Sequence, residues 1–366
     1  MNWKPALSAM KPYKPGRSAE DVQKEYGIPK IEKLASNENP YGCAPSVRNY
    51  LENAHIQYEI YPETGTPPLR TALAGLTGVE ESAIILGNGS DDLITIISRA
   101  LLAPGTSTIM PVPTFPQYAH NARIEGAEVR EIPLEDGVYA LDRFLEAIDD
   151  TTAVIWICTP NNPTGGLLPS VEFREFLEKV PSGILVVADE AYFEYITDSS
   201  YENPVGWLSR FPNLIILRTF SKAYGLAAFR LGYGISSPAV IAQLTKVRNP
   251  FNTNSLALAA AGRALEDQDF IAHCRQENAV QRTRFRQFAA AHKLRILPSE
   301  ANFVLLEVPM DADEAADLLM QRGYIIRSGN LLGTPGWLRV TVGTATQNDG
   351  FFSALAAILE ERGHTG

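Results

Sequence analysis

The chain has 366 residues, 45% hydrophobic and 20% charged, with a formal net charge of −10 and a pI of about 5.1. That length holds two or three domains with a substantial core, and the acidic balance excludes a basic footprint for nucleic acid or an anionic membrane. The three cysteines, Cys43, Cys158 and Cys274, form no CxxC pair and the five histidines are scattered, so neither a disulfide framework nor a metal site is indicated and a cytoplasmic location is expected.

The N-terminal run MNWKPALSAMKPYKPG is too polar for a secretory leader. No apolar run reaches membrane-spanning length, and the longest, such as 184–188, suit buried strands. Residues 1–30 predict an irregular arm in which Pro5, Pro12 and Pro15 prevent a long helix, leaving one short helical turn at 21–26. Such an arm either lies across a subunit or active-site edge or frays as a terminus. A short strand at 31–34 leads to the turn cluster SNENPYG (36–42), then a helix over 45–52, an extended stretch over 58–63 and a helix over 68–77 that opens on Pro68.

From residue 84 strands and helices alternate. A strand at 84–86 meets the turn GNGSDD (87–92) and a helix over 93–102 whose apolar residues recur at three- and four-residue spacing. This junction aims free backbone N–H groups at an anion, although it lacks the lysine of a nucleotide P-loop. Strand 108–110, loop 111–116, helix 117–125, strand 128–132 and helix 141–148 follow. The all-apolar strand 153–158 suits burial on both faces and ends in the polar loop TPNNPTGG (159–166). Helix 169–179, strand 184–188 running into DEAY (189–192), strand 213–217 and strand 232–235 complete the series. These repeated units predict an α/β fold, a doubly wound and mostly parallel sheet with helices on both faces. After residue 252 the texture changes: helices over 255–266 and 269–291, strands at 294–297, 303–307, 325–327 and 337–342, and helices over 313–322 and 347–362 predict a smaller α+β domain. The expected division is an arm (1–30), a large domain (31–253) and a linking helix from near Asn254 with the small domain (254–366).

In doubly wound sheets ligands sit at the carboxyl ends of strands. The pattern places Gly89, Asn162, Asp189, Tyr192 and Lys222 just beyond such ends. Lys222, flanked by Ser221 and Ala223 at the mouth of a strand, is placed to be a buried amine, which loses its proton readily and attacks carbonyls. Singly, each of these residues has an ordinary reading: surface lysine, helix cap, core aromatic, turn former. Jointly they match pyridoxal phosphate. The aldehyde needs Lys222; the phosphate needs hydroxyls, helix-start N–H groups and Arg230. The ring nitrogen needs Asp189 to hold its proton, the phenolic oxygen needs donors such as Asn162 and Tyr192, and a flat aromatic, Phe115, completes the site by stacking.

With these residues in view, the sequence resembles the fold-type I pyridoxal-phosphate aminotransferases, in particular the histidinol-phosphate aminotransferase branch. The matching runs are SNENPYG (36–42), YPE (61–63), GNGSDD (87–92), PTFPQY (113–118), TPNNPTG (159–165), ADEAY (188–192), RTFSKAYGLAAFRLGYG (218–234), ANF (301–303), GYIIRSG (323–329) and LRVTVGT (338–344), and the KPYKPG arm (11–16) also looks similar. The resemblance implies that Lys222 carries the cofactor as a Schiff base and shuttles the substrate Cα proton, that Asp189 pairs with the ring nitrogen, and that Asn162 and Tyr192 bind the phenolic oxygen. It implies that Ser90, Asp91, Thr219, Ser221 and Arg230 surround the phosphate, that Phe115 stacks on the ring, and that Tyr61 reaches the cofactor of a neighbouring subunit, making a homodimer. Arg339 matches the substrate-carboxylate arginine, Arg327 and Tyr13 match positions holding the distal phosphate of histidinol phosphate, and Asn37 lies near the substrate amine or carboxylate. One departure is Ala228, where many relatives carry glycine; another is the short apolar loop 330–337, which also suits an aromatic side chain.

The activity so implied is amino transfer between L-histidinol phosphate and 2-oxoglutarate in histidine biosynthesis, with no nucleic acid or membrane partner. An aromatic amino-acid aminotransferase is the near alternative. A pyridoxal-phosphate lyase of the threonine-phosphate decarboxylase kind shares the motifs. The sensor domain of a transcription factor would need an added DNA-binding module, for which the 30-residue arm is too short and not basic.

Overall fold

The computed structural model describes all residues except 9, 11–16, 55–56, 58, 63–67 and 365–366. Twelve strands are described: β1 (Glu32–Lys33), β2 (Ile84–Gly87), β3 (Ser107–Val112), β4 (Glu128–Pro133), β5 (Thr152–Cys158), β6 (Leu185–Asp189), β7 (Leu214–Thr219), β8 (Gly232–Ser236), β9 (Phe303–Glu307), β10 (Tyr324–Ile325), β11 (Arg327–Ser328) and β12 (Trp337–Thr341). They form a seven-stranded sheet in the order β2-β8-β7-β6-β5-β3-β4, a three-stranded sheet β11-β12-β9 and the pair β1-β10.

The large sheet is mostly parallel, as its sequence pattern requires. The pairings β3–β4, β3–β5, β5–β6 and β6–β7 are parallel, whereas β8 runs antiparallel to both β7 and β2. The connection from β7 to β8 holds the Lys222 loop and a 3₁₀ turn (Ala227–Phe229) but no α-helix, so the chain returns antiparallel rather than crossing over. Alternation along β5 explains its unbroken apolar run: Ile155 and Ile157 pack into one core, Val154 and Trp156 into the core on the other face. A third core forms where β9 and β12 meet the helices Gln268–Ala291, Ala312–Met320 and Ala345–Glu361. The fold is therefore α/β, a mostly parallel sheet with a core on each face, as the sequence pattern predicts.

Some local expectations are corrected. The turn expected at 21–26 is a helix over Ala19–Tyr26, because Ser18 caps it by accepting from the Asp21 N–H. The strand expected at 294–297 is a single bridge between Ile296 and Leu306. The two helices expected at 255–266 and 269–291 are present as Ser255–Glu266 and Gln268–Ala291, parted at Asp267, which ends the first and caps the second by accepting from the Phe270 N–H.

Gly225 holds the Lys222 loop against the SNENPYG turn. Its φ is +70°, and a Cβ there would lie 1.9 Å from the Gly42 carbonyl oxygen. Gly225→Ala combines left-handed strain with a backbone collision and is expected to destabilise the protein by about 2–4 kcal/mol. A urea-unfolding midpoint equal to wild type would show that loop and turn separate without cost.

Candidate active site

The carboxyl ends of β5, β6 and β7 and the start of the helix Ser90–Leu101 open on one cavity of about 440 Å³. Ser90, Asp91, Phe115, Asn162, Asp189, Tyr192, Thr219, Ser221, Lys222, Arg230, Asn37, Arg327 and Arg339 all line it, so the structure gathers residues spread over 303 positions of sequence. Tyr13 lies outside the described residues. Tyr61 is 76% exposed and stacks on Phe251 with ring centres 4.5 Å apart, outside the cavity of its own chain.

One end of the cavity is an anion cradle. Gly89 caps the helix Ser90–Leu101 at φ +85°, and a Cβ there would come within 2.7 Å of Arg230 Nη2, so only glycine lets the guanidinium close over the helix start. Arg230 Nη1 donates to Ser221 Oγ at 3.2 Å and to the Ala227 carbonyl at 3.1 Å, and Nη2 lies 3.7 Å from Asp91 Oδ2. Ser221 N–H donates to Thr219 Oγ1 at 3.1 Å, fixing the turn between β7 and Lys222.

At the centre stand an amine and an acid. Lys222 Nζ donates to the Ser36 carbonyl at 3.2 Å. Burial lowers its ammonium to about 8, and the Arg339 cation pushes the same way. Asp189, 3% exposed at the end of β6, accepts from the Tyr118 hydroxyl at 2.6 Å and from the Ala191 N–H at 3.2 Å. Burial pushes its carboxyl up to about 6, while those two hydrogen bonds pull it back down. Asn37 and Asn162 aim their amide N–H groups at Tyr192 Oη, at 3.1 and 3.3 Å.

The far end is cationic. Arg339 Nη1 donates to Asn162 Oδ1 and Nη2 to the Ala35 carbonyl, both at 2.7 Å, and the guanidinium lies 5.5 Å from the Phe303 ring centre. Arg327 of β11 is in register with Arg339 of β12, so both arginines project from the same face of that sheet.

Several contributors were not singled out from sequence. Tyr118 lay inside PTFPQY, yet nothing in the motif pointed its hydroxyl at Asp189. Ala35 and Ser36 supply a carbonyl each, to Arg339 and Lys222; their neighbour Asn37, which the resemblance had placed near the substrate, holds φ +55°, exchanges hydrogen bonds with Thr341 and accepts from Asn302. Behind the site, Glu190 and Arg218, the neighbours of Asp189 and Thr219 on β6 and β7, form a buried two-point ion pair at 2.7 and 2.9 Å, and the guanidinium lies 3.5 Å from the Phe193 ring centre.

A parallel sheet whose strand ends present one amine, one buried acid and an anion cradle defines a cofactor-dependent group-transfer enzyme. Residues 29–355 match the family described as Aminotransferase class I and II, and the chain belongs to that family. It is 51% identical over 360 residues, 98% of this chain and all of the relative, to a protein of Bacillus subtilis (strain 168) named histidinol-phosphate aminotransferase. It is 49% identical over 363 residues, 99% of both chains, to a protein of the same name from Lysinibacillus sphaericus. Among solved structures it is similar to the histidinol-phosphate aminotransferase of Sinorhizobium meliloti in complex with pyridoxal-5'-phosphate, with a TM-score of 0.88, 28% identity and 98% of both chains covered. Among the described residues no group of His, Cys, Asp and Glu gathers to hold a metal ion, and no helix is long and apolar enough to cross a membrane.

Proposed function

We propose that this chain is a pyridoxal-phosphate-dependent aminotransferase that moves an amino group between L-histidinol phosphate and 2-oxoglutarate, giving imidazole-acetol phosphate and L-glutamate in histidine biosynthesis. The observation that carries it is the cavity itself: a half-buried amine whose proton is loosened, an ionisable acid in the same cavity, an anion cradle and two in-register arginines. The donor set fits the cofactor. Ser90, Asp91, Thr219, Ser221 and Arg230 would take its phosphate, where the glycine cradle leaves room, and Asn162 and Tyr192 its phenolic oxygen. Asp189 would hold the ring nitrogen's proton, and Phe115 would cover the ring. When bound, pyridoxal phosphate supplies an aldehyde that receives the amino group and a ring that draws electrons from the substrate Cα.

Lys222 moves the proton at the substrate Cα; an amine titrating near 8 both accepts and returns it at neutral pH. Arg339 grips the α-carboxylate of glutamate or 2-oxoglutarate in a two-point clamp after exchanging its bonds to Asn162 and Ala35, with Asn37 close to the substrate amine. Arg327 takes the phosphate of histidinol phosphate, that substrate's one anionic group, in one half-reaction and the distal carboxylate of glutamate in the other. Tyr13 is assigned the same phosphate on the motif alone. A second copy of the chain completes the site: Tyr61, exposed and outside its own chain's cavity, serves the phosphate of the neighbouring copy, so the enzyme works as a homodimer. The chain divides functionally into an arm (1–30), a cofactor-binding domain (31–253) and a linking helix with a small domain (254–366) bearing Arg327 and Arg339, and it works in the cytoplasm.

The names of the relatives favour histidinol phosphate over phenylalanine, tyrosine or threonine phosphate. Steady-state assays decide: kcat/KM for histidinol phosphate exceeds that for phenylalanine, and no CO2 is released from threonine phosphate. Arg327→Ala lowers kcat/KM for histidinol phosphate by about 10- to 100-fold, the worth of one charged hydrogen-bonded contact, while changing that for phenylalanine by less. A wild-type preference for phenylalanine, or an equal loss on both substrates in the variant, would overturn the substrate assignment.

A further inference from the structure

Tyr118 has no exposed surface, and its ring is fixed on both sides. It stacks on Trp156 with ring centres 4.8 Å apart at 12°, and meets Phe115 edge-on at 5.7 Å. Trp156 is itself tied down, its Nε1 donating to Thr108 Oγ1 at 2.9 Å, which donates to the Val154 carbonyl at 2.8 Å. A phenylalanine would fill the same stack, so packing alone does not call for a hydroxyl. That hydroxyl donates to Asp189 Oδ2 at 2.6 Å, the distance of a charge-assisted bond, while Oδ1 accepts from the Ala191 N–H. The rigid column thus runs from β3 through Trp156 and Tyr118 to the Asp189 carboxylate, which lines the cavity.

We infer that Tyr118 is a positioning residue for the proposed reaction: its hydroxyl keeps the Asp189 carboxylate ionised and turned toward the ring nitrogen of the cofactor. The inference rests on the cofactor reading given above. A buried carboxylate with one backbone donor alone is poorly compensated for the loss of water, and protonation would remove the charge that holds the ring's proton. Burial raises the Tyr118 phenol well above its usual range, so the group remains a donor throughout the working pH range. Held at both oxygens, the carboxylate is also fixed in orientation before the cofactor arrives, which spares the ordering cost on binding.

The test is a double-mutant cycle of Tyr118→Phe and Asp189→Asn in the full-length protein. Pyridoxal phosphate affinity is read by quenching of tryptophan fluorescence on titrating the apoprotein, alongside kcat, KM and the apoprotein's thermal midpoint. Tyr118→Phe raises the half-saturating cofactor concentration about tenfold and lowers kcat about tenfold, with KM for the amino donor within about threefold and the thermal midpoint within a few degrees of wild type. In the Asp189→Asn background the same change alters affinity by less than about twofold, because the hydroxyl acts through the carboxylate. Wild-type affinity and kcat in Tyr118→Phe, or an undiminished loss in the Asp189→Asn background, would overturn the inference, as would an apoprotein melting far below wild type, which assigns Tyr118 to packing. If the wild-type protein itself does not bind pyridoxal phosphate saturably, the cofactor reading falls and this inference with it; if it binds and only Tyr118→Phe is without effect, the cofactor reading stands.

Discussion

Lys222→Ala is expected to lower kcat for histidinol phosphate by at least about a thousandfold and to abolish the visible absorbance of the lysine-bound cofactor. The magnitude follows from removing two functions at once, the covalent anchor and the group that moves the Cα proton, of which the second alone contributes about 10²–10⁴-fold. The truncation leaves the fold intact, because among the described residues the amine contacts only the Ser36 carbonyl, by a hydrogen bond, and the face of the Tyr192 ring at 5.9 Å, and both line the open cavity once the amine is gone. A variant that turns over repeatedly within tenfold of wild type would remove Lys222 from the chemistry.

Asp189→Asn is the second large effect, a fall in kcat of about a hundredfold or more with the substrate's KM little changed, since a neutral amide cannot hold the proton on the ring nitrogen. Stability moves in the opposite direction. The folded Asp189 carboxyl titrates near 6, above its usual value of 3.8, so between about pH 4 and 6 the native apoprotein holds a proton that the unfolded chain has lost. Stability from this group is therefore present below pH 4 and is lost as the pH rises through 6. At pH 7 the asparagine apoprotein is expected to melt at or above the wild-type temperature. Calorimetry of both apoproteins checks this, and a lower midpoint for the variant would show that the charge is stabilising where it sits.

Much of the site was legible because its residues follow apolar runs directly. Ser90 and Asp91 open a helix after β2, Asn162 follows β5, Asp189 closes β6 and Lys222 follows β7, so reading strands as parallel already set these groups along one edge. What stayed hidden was set by contacts distant in sequence. Hydrophobic period says which face a residue takes, not which strand lies beside it. Hence the antiparallel course of β8, and the pairing of β1 with β10 almost three hundred residues on, were not foreseen. The same holds for Asn37: its left-handed backbone and its bonds to Tyr192, Thr341 and Asn302 join three separate segments. The function of the Tyr118 hydroxyl was invisible for a simpler reason, since an aromatic at the third residue after Phe115 fits a helix core equally well with or without an oxygen.

The buried pair of Glu190 and Arg218 carries a lesson about what a lineage can change. Each residue adjoins a position that faces the cavity, and each is almost wholly enclosed. Replacing either alone leaves the other charge buried with only its minor partners, Asn203 and Glu194 for Arg218 or the Tyr201 hydroxyl for Glu190, at a cost of about 3–5 kcal/mol, a large part of the stability margin of an ordinary domain. Every single-step path from this ion pair to an apolar pair therefore crosses a poorly folding intermediate. For inheritance, positions 190 and 218 behave as one character rather than two, and drift behind the active site is blocked even though neither side chain meets a substrate.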